Sequence, residues 1–592
     1  MKHLVSIWII LLPVLAGAQQ YYFRGDVRDD GGRPLQNVNI LLQSTGYVYR
    51  SGSDGSFGIM GKQPTDSLVL SLDGYEKLTV GVKAATFAQV RLKILSANAS
   101  TLRRDRLVSV TRNLTRETQR EWFAGDETYA SLIENRFVSA ARYPSTSLAL
   151  NIDRASYSNI RRFIHMSTLV PPDAVRIEEM LNYFNNNYRE PAGREAFDVH
   201  SVITRCAWNP LNQLLFINLS SRKVNLDSLP PANLVFLVDV SGSMDMPNRL
   251  PLLKSAFRLL VNNLRARDTV SIVVYGGVVG TMLNPTSGAE KQKIMQAIDS
   301  LTPGGSTPGE SGIRMAYRLA ASHYIKGGNN RVILATDGDF NVGLKKDEEL
   351  EDLIAQRRHS GIYLTCLGVG MGNYKDSKIQ TLARKGNGNY AYLDSYQEAE
   401  KVLLQEFTQT MYAVADNVYM TISFNPAYVR EYRLIGFDNK MGALRDTLSV
   451  MEGGEVGSGQ SMIAAFEITP SDVIRNLPDS ESLPGSYATI SLQYNPPQSD
   501  SVCQKSYNCP YELTPFERLD SSYRFSTAVI MFGSILRQSP YARAMNWTDL
   551  INLAGRSMRP DDPSQREFVD LVQEAKSLYQ HYRKKRRRSG WE

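Results

Sequence analysis

The 592-residue chain has only four cysteines, and none of its cysteines and histidines are spaced as zinc ligands. Such a composition is not that of a small disulfide-stabilised scaffold. The sequence also lacks a P-loop, a G-x-S-x-G nucleophile motif and the H-E-x-x-H motif of zinc proteases. Its six histidines are scattered and form no recognisable pairing. These absences exclude the common motif-defined hydrolases, and the sequence predicts a protein that is not an enzyme.

After its first 20 residues the sequence contains no apolar run that approaches the roughly 20 residues needed to cross a bilayer. Lys2 precedes a short apolar stretch that ends near Leu15, and Ala16-Gly17-Ala18 fits a signal peptidase cleavage site. The sequence therefore predicts a signal peptide at 1–18 and a mature chain without a transmembrane span. We expect a periplasmic, envelope-associated or extracellular protein. An uncleaved anchor is the alternative, but the apolar run is short for it.

Most of the net positive charge lies in one short segment. The formal net charge is +7, and Arg583–Arg588 contributes six of these charges, which leaves the rest of the chain at +1. A nearly neutral body lacks the basic footprint of a nucleic-acid-binding domain. We favour a solvated, disordered end for the basic segment. Weak contact with an acidic surface, such as phospholipid head groups, is the alternative.

The central feature of the sequence is an uninterrupted apolar stretch, Leu234–Val238, which leads directly into Asp239, Ser241 and Ser243. An apolar run without alternation is typical of a strand that is buried on both faces in a parallel sheet. The three oxygen-bearing side chains then lie at the carboxyl end of the strand, where open α/β sheets bind ligands. Oxygen ligands without soft donors suit a hard cation such as Mg²⁺.

Two later stretches extend this pattern. Gly304–Gly309 is a glycine-rich loop that carries the hydroxyl of Thr307 just before a helix-like segment, and Arg331–Gly338 is a second apolar strand that ends in Asp337. Between Ala232 and Met411, strand-like and helix-like stretches alternate. This alternation predicts a doubly wound α/β (Rossmann-like) domain around a parallel sheet.

The stretches D-V-S-G-S-M, G-G-S-T-P-G and A-T-D-G-D, in this order, resemble a von Willebrand factor type A (VWA) domain with an intact metal-ion-dependent adhesion site. The resemblance implies that Ser241, Ser243 and Thr307 are hydroxyl ligands of Mg²⁺, or of Mn²⁺ or Ca²⁺ in its place. It implies that Asp239 and Asp337 act through water. It also implies a protein partner that offers Asp or Glu to the open metal position. Alternatively, the hydroxyls are turn residues and the acids are helix N-caps.

The segments before this domain carry two further resemblances. Short alternating strands between turns predict a small β-sandwich near the amino end. Its stretches G-R-P-L-Q-N-V-N-I, S-D-G-S-F-G-I and S-L-D-G-Y resemble a carboxypeptidase regulatory-like domain, which implies a sandwich and not a peptidase. The stretches E-N-R-F-V-S-A-A-R-Y-P and V-P-P-D-A-V-R-I-E-E-M-L-N-Y-F resemble the segment that precedes the VWA domain in bacterial proteins of the YfbK type.

The predicted fold class is therefore multidomain, with a central doubly wound VWA domain, a β-sandwich and mixed α+β regions. The predicted parts are a signal peptide (1–18), a regulatory-like β-sandwich (19–95), a linker (96–126), a flanking domain of the YfbK type (127–231), the VWA domain (232–411) and a β and helical domain with the basic tail (412–592).

The four cysteines occur in two kinds of sequence surroundings. Cys503 and Cys509 flank a short polar stretch that we interpret as a turn, and they could form a disulfide in an oxidising compartment. Cys206 and Cys366 lie in apolar, strand-like surroundings, which favour buried free thiols.

The sequence best fits an exported protein that binds a partner through a divalent cation, without nucleic acid. Two alternatives remain. One is an accessory component of an envelope transport or enzyme assembly. The other is a structural scaffold in which the metal site is idle.

Overall fold

The computed structural model describes residues 21–29, 32–72, 75–84, 86–93, 127, 129, 132–150, 152–184, 187–225, 227, 229–277, 279–305, 309–338, 347–370, 375–437, 453–476, 485–497, 499 and 501–588. The predicted signal peptide and the predicted linker lie outside these residues. The chain forms two compact units, 1–108 and 109–592.

The first unit is a β-sandwich. Its strands are β1 (Tyr21–Asp29), β2 (Asn39–Leu42), β3 (Tyr47–Arg50), β4 (Ser56–Gly61), β5 (Thr65–Ser71), β6 (Leu78–Lys83) and β7 (Phe87–Leu92). They form one sheet in the order β4-β1-β7 and another in the order β3-β2-β5-β6. Alternate residues such as Phe57 and Ile59 of β4 enter a core shared by both sheets. The predicted sandwich is present, while its regulatory-like identity stays a prediction.

The second unit begins with elements that precede the VWA sheet. They are β8 (Val138–Ser139), β9 (Ser145–Ala149), α1 (Ala155–His165), α2 (Ile177–Tyr183), β10 (Phe197–Arg205) and β11 (Gln213–Ser221). The stretch Glu127–Phe137 has apolar residues at helical spacing, but its described residues, 127, 129 and 132–137, are not helical.

The elements of the predicted VWA domain mostly alternate between strand and helix, apart from one hairpin and two places where one helix follows another. They are β12 (Ala232–Asp239), α3 (Leu250–Asn262), β13 (Thr269–Tyr275), β14 (Gly280–Ser287), α4 (Lys291–Asp299), α5 (Gly309–Ser322), β15 (Asn329–Thr336), α6 (Asp347–His359), β16 (Ile362–Gly368), α7 (Asp376–Lys385), β17 (Tyr390–Tyr392), α8 (Tyr396–Glu400) and, after a π-helical turn, α9 (Phe407–Met411).

These strands form one sheet in the order β14-β13-β12-β15-β16-β17, and only the edge strand β14 is antiparallel to its neighbour. Helices cover both faces, so β12 has no solvent-facing side. Phe236 of β12 packs with Phe257 of α3 on one face, whereas Leu237 packs with Ile313 of α5 on the other. The doubly wound α/β fold predicted from the alternation of strands and helices is confirmed; β14 was not anticipated.

The remaining elements complete the second unit. They are β18 (Ala413–Phe424), β19 (Val429–Ile435), β20 (Gly454–Gly457), β21 (Ser461–Pro470), α10 (Asp472–Arg475), β22 (Ala488–Asn495), β23 (Cys503–Cys509), β24 (Leu513–Thr514), α11 (Ser521–Leu536), α12 (Trp547–Ser557) and α13 (Pro563–Arg588).

Segments from either side of the VWA domain fold together. One sheet has the order β24-β10-β11-β21-β19-β8, and the second has the order β20-β18-β22-β23 with β9 paired to β18. Strand β11 is buried throughout. Its Leu215 faces the core between the two sheets, and its Phe216 packs with α11 and α13 on the other side. The domain boundaries drawn at 126, 231 and 411 remain predictions, but strands from both flanking segments alternate in one sheet.

The predicted Cys503–Cys509 disulfide is wrong. The two residues are the first and last of β23, and both thiols are free. A six-residue separation along an extended strand spans about 20 Å, far beyond the reach of a disulfide. The intervening polar residues alternate between exposed and half-buried positions because they form an edge strand and not a turn. Cys206 and Cys366 are buried free thiols, as predicted.

Two further features bear on location. Within the described part of the chain, no helix combines the length and apolar character that a membrane crossing requires. The basic segment, for which we favoured disorder, is helical through Arg588 as the end of α13.

Candidate metal centre

Strands β12 and β15 are parallel neighbours, so the acids at their carboxyl ends lie at the same edge of the sheet. Asp239 is 1% exposed and its carboxylate is held from three sides. The backbone N–H of Ser241 donates to its Oδ1 at 2.9 Å. The hydroxyls of Tyr275 and Thr336 both donate to its Oδ2 at 3.1 Å. These contacts fix the carboxylate behind the loop that follows β12.

Asp239 lies in a region where negative charge is poorly solvated. Burial raises the pKa of its carboxyl, hydrogen bonds from Ser241 oppose this rise, and the nearby charge of Asp337 adds to it. A cation placed between the two acids would favour their ionised forms. The electrostatics of this edge therefore suit a positively charged ligand.

The two serine hydroxyls lie in front of Asp239. Ser241 is half-buried and Ser243 is exposed, and their Oγ atoms are 3.1 Å apart. Adjacent oxygen ligands of an octahedral Mg²⁺, each about 2.1 Å from the ion, are separated by about 3 Å. A short 3-10 turn, Gly242–Met244, holds this spacing, and the buried Met244 side chain anchors the turn. The hydroxyl pair thus fits two neighbouring positions on one divalent cation.

Close backbone packing joins this loop to the glycine-rich loop. The N–H of Gly242 donates to the carbonyl of Gly305 at 3.1 Å, and Gly304 donates to the carbonyl of Val240 at 2.6 Å. Gly276 has a φ of +124°, and a Cβ atom there would lie 2.2 Å from the backbone nitrogen of Ser241. Only glycine permits this approach.

Thr307 lies outside the described residues, so its role as a ligand stays a prediction. The structure does place Gly305, two residues earlier, against the loop that carries Ser241 and Ser243. Helix α5 starts at Gly309, two residues later.

Arg249 is a functional residue that the sequence analysis missed. Its Nη1 donates to Asp337 Oδ2 and to the carbonyl of Ser243, each at 2.6 Å. Arg249 and Asp337 are both buried. Gly370, at φ +78°, leaves room for the arginine, because a Cβ there would lie 2.5 Å from Nε. The guanidinium therefore ties the acid after β15 to the serine loop.

Tyr275 and Thr336 were also missed. Each is the last residue of a strand adjacent to β12, and a polar residue at such a position is the only sequence feature that pointed to them. Arg249 stands just before α3, and nothing in its spacing indicates a role at the site. The pairing with Asp337, 88 residues away, arises from the fold.

The donor set is consistent with a divalent cation held chiefly by hydroxyl oxygens. No group of three or more His, Cys, Asp or Glu side chains with metal-binding geometry occurs among the described residues. Ser241 and Ser243 would contact the cation, and Asp239 and Asp337 would balance its charge from behind. The predicted residues Asp239, Ser241, Ser243 and Asp337 are thus close to one another, and their roles as ligands remain predictions.

Solved structures resemble the chain at low sequence identity. One is a von Willebrand factor type A protein from Catenulispora acidiphila, with 13% identity, a TM-score of 0.40, and coverage of 65% of this chain and 91% of that one. Another is the proximal thread matrix protein 1 from the mussel byssus, with a zinc-occupied MIDAS motif, 23% identity, a TM-score of 0.25, and coverage of 30% of this chain and 45% of that one.

Family models match three successive parts of the chain. A von Willebrand factor model matches residues 124–216, the von Willebrand factor type A domain matches 233–409, and the family described as "Uncharacterized protein YfbK, C-terminal" matches 409–578. Human inter-alpha-trypsin inhibitor heavy chain H2 is 28% identical over 174 residues, which is 28% of this chain but only 18% of that protein.

The match to the protein YfbK of Escherichia coli (strain K12) is far more extensive. The two are 35% identical over 469 residues, which cover 76% of this chain and 81% of the relative. This match includes the VWA domain and extends well beyond its 233–409 segment. The chain therefore belongs to the YfbK family of von Willebrand factor type A domain proteins.

Proposed function

We propose that this protein is an exported, cation-dependent protein-binding module of the cell envelope. The observation that carries the proposal is the pair of serine hydroxyls, 3.1 Å apart at the carboxyl end of β12, next to the buried Asp239, whose Oδ1 accepts the N–H of Ser241. VWA domains of relatives support an interaction role over catalysis, so we propose a binding protein and not an enzyme.

The chemistry of the site suits an acidic partner. A bound Mg²⁺, or another divalent cation, supplies an open coordination position for a carboxylate oxygen. Ser241 and Ser243 are neutral, so they would leave most of the positive charge unbalanced on the accessible side. Asp239 and Asp337 are held by hydrogen bonds and by Arg249. An Asp or Glu of a partner protein would complete the neutralisation.

The proposed location rests on the predicted signal peptide at 1–18. We also retain three structural proposals: that Thr307 is a third hydroxyl ligand, that 19–95 is a carboxypeptidase regulatory-like domain, and that the domain boundaries lie where the sequence placed them. The β-sandwich of the first unit supports the second of these.

The test is a pull-down from envelope extract with Mg²⁺ and with EDTA. Three forms are compared: wild type, Asp239→Ala, and Asp245→Ala as a matched control. Asp245 is an exposed acid two residues after Ser243. We expect a partner that is retained by wild type and Asp245→Ala with Mg²⁺, and is lost in EDTA or with Asp239→Ala. Identical partners under all conditions would contradict cation-dependent binding.

A further inference from the structure

Helix α13 has two parts with different surroundings. In its first part, Phe568, Leu571 and Val572 are buried in the core formed with α1, α2, α11 and α12. Glu567 pairs with Arg161 of α1 at 2.9 Å. These contacts anchor the helix to its unit, so the direction of its second part is set by the fold.

The second part leaves this core. Tyr579 accepts a hydrogen bond from the N–H of Val170 at 3.3 Å, and the next three residues, 580–582, are exposed. The helix nevertheless continues to Arg588. Nine residues at 1.5 Å per residue extend it by about 13 Å. The basic segment Arg583–Arg588 thus forms the end of an anchored helix.

The charge of this helix end is not balanced within the helix. No Asp or Glu occurs between Glu574 and Arg588. Every i,i+3 and i,i+4 pair inside the segment joins two positive charges, which destabilises a helix. The partial negative charge at the carboxyl end of a helix favours a few basic residues, but its effect is confined to the last turn. An external anion would relieve the remaining repulsion.

The arrangement fits an extended anionic surface better than a single anionic group. Successive helical residues are about 100° apart, so six consecutive basic residues encircle the axis instead of lining one face. A lipid head-group layer offers negative charge in whatever direction the helix approaches it, and each nearby Lys or Arg strengthens binding.

We propose that Arg583–Arg588 docks the protein on a bilayer surface rich in anionic phospholipid head groups. Nucleic acid has the same attraction for basic residues. The choice of lipid rests on the export part of the proposed function, because an exported chain meets lipid surfaces and not the nucleic acid of the cytoplasm.

The test is co-sedimentation of the full mature chain with vesicles of phosphatidylglycerol and phosphatidylcholine, or of phosphatidylcholine alone, in EDTA. The test variant replaces all six residues 583–588 by Gln, which keeps helix propensity. The control variant removes six exposed charges elsewhere by changing to Gln the residues Arg50, Lys62, Lys77, Lys83, Arg91 and Lys93.

We expect wild type, the control variant and Asp239→Ala to bind anionic vesicles, and high salt to abolish binding. The test variant should bind at least about tenfold more weakly, because it lacks six basic residues that each strengthen binding to an anionic surface. Retention of Asp239→Ala separates this result from the metal site, so either proposal can fail while the other stands.

Three outcomes would overturn the proposal. They are equal binding by the test and control variants, equal binding to neutral vesicles, and displacement of the protein by inorganic phosphate at an ionic strength at which sodium chloride leaves it bound. Binding to duplex DNA without binding to vesicles would also overturn it, in favour of nucleic acid. Failure of wild type to bind anionic vesicles at low salt would also overturn the proposal, even if the six-residue variant does not fold.

Discussion

At the scale of single residues, the candidate metal centre contains a buried ion pair between Asp337 and Arg249. The carboxylate of Asp337 is buried at the edge of the sheet, and the guanidinium of Arg249 donates a charged hydrogen bond to it. The same guanidinium holds the carbonyl of Ser243, so the acid and the serine loop are positioned together. Arg249 is therefore a positioning residue of the site.

Replacing Arg249 by Met should destabilise the protein in EDTA by about 3–5 kcal/mol, because removing one partner leaves a buried charge uncompensated. Mg²⁺ should restore part of this loss, since a cation also neutralises Asp337. Urea unfolding in EDTA and in Mg²⁺ measures both effects. Arg249→Lys should lose less stability, because it keeps a positive charge. An unchanged unfolding midpoint for Arg249→Met in EDTA would disprove the positioning role of Arg249.

Asp153, which lies outside the candidate metal centre, makes the stability of the protein depend on pH. Burial, and then the charge of Glu179, raises the pKa of this carboxyl to about 6. Its Oδ1 accepts the N–H of Tyr390, while its Oδ2 has no hydrogen-bond partner within the described residues. The exposed guanidinium of Arg384 is 3.8 Å away and gives little compensation.

Because the folded pKa lies above the unfolded value of 3.8, the folded state binds the proton more tightly, and Asp153 costs stability as pH rises from about 4 to 6. Asp153→Asn should therefore be more stable than wild type at pH 7, by roughly 2–3 kcal/mol, and equal to it near pH 4. Thermal unfolding across this range measures the difference. A pH-independent difference would contradict the assignment.

At the scale of elements, the loops after β12 and β13 and the glycine-rich loop after α4 approach one another closely at the candidate site. Gly276 directly follows β13 and lies against the backbone of Ser241. Gly305 has a φ of +83°, and a Cβ there would lie 2.3 Å from the Cα of Gly277. Glycine at these positions sets the distance between the serine loop and the glycine-rich loop.

Gly276→Ala should displace the serine loop and weaken Mg²⁺ binding, with a loss of stability of about 1–3 kcal/mol from the strained backbone. Gly280→Ala is the matched control, since nothing lies within 4 Å of a Cβ at that position. Isothermal titration calorimetry measures the Mg²⁺ affinities of the two variants. Equal affinities for the two variants would show that loop spacing does not govern the site.

At the scale of the whole second unit, the VWA sheet is joined to the flanking sheets by buried ion pairs. Arg331 of β15 is fully buried and pairs with Glu455 of β20. Arg331 also donates to Thr365 at 2.7 Å. Burial raises the pKa of Glu455 to about 7 despite this partner. The pair lies at the amino ends of the parallel strands, opposite the metal centre.

Arg331→Met should destabilise the protein by about 3–5 kcal/mol, because Glu455 would remain buried without its counterion. The double variant Arg331→Met with Glu455→Leu should recover most of that loss, since apolar residues of similar size can replace a buried pair. Urea unfolding of wild type, both single variants and the double variant gives the free energies of unfolding for a double-mutant cycle. Additive losses would show that the two side chains do not interact energetically.

Much of the VWA domain could be predicted from the sequence because its information is local. The apolar runs of β12 and β15 are continuous, since helices cover both faces, and Asp239, Ser241, Ser243 and Asp337 directly follow those runs. Their proximity follows from the rule that parallel strands end at the same edge of a sheet. The alternation of elements was sufficient to predict the doubly wound topology.

Features that join residues far apart in the chain could not be predicted from the sequence and become visible only in the tertiary structure. Arg249 pairs with an acid 88 positions away. Nothing in the sequence distinguishes Gly276 from other loop glycines, and only the packing of Ser241 against it shows why glycine is required there. Cys503 and Cys509 are only six positions apart, yet an extended strand keeps their thiols apart. Sequence spacing determines contacts within an element, whereas burial and pairing between elements are set by the packing of the whole chain.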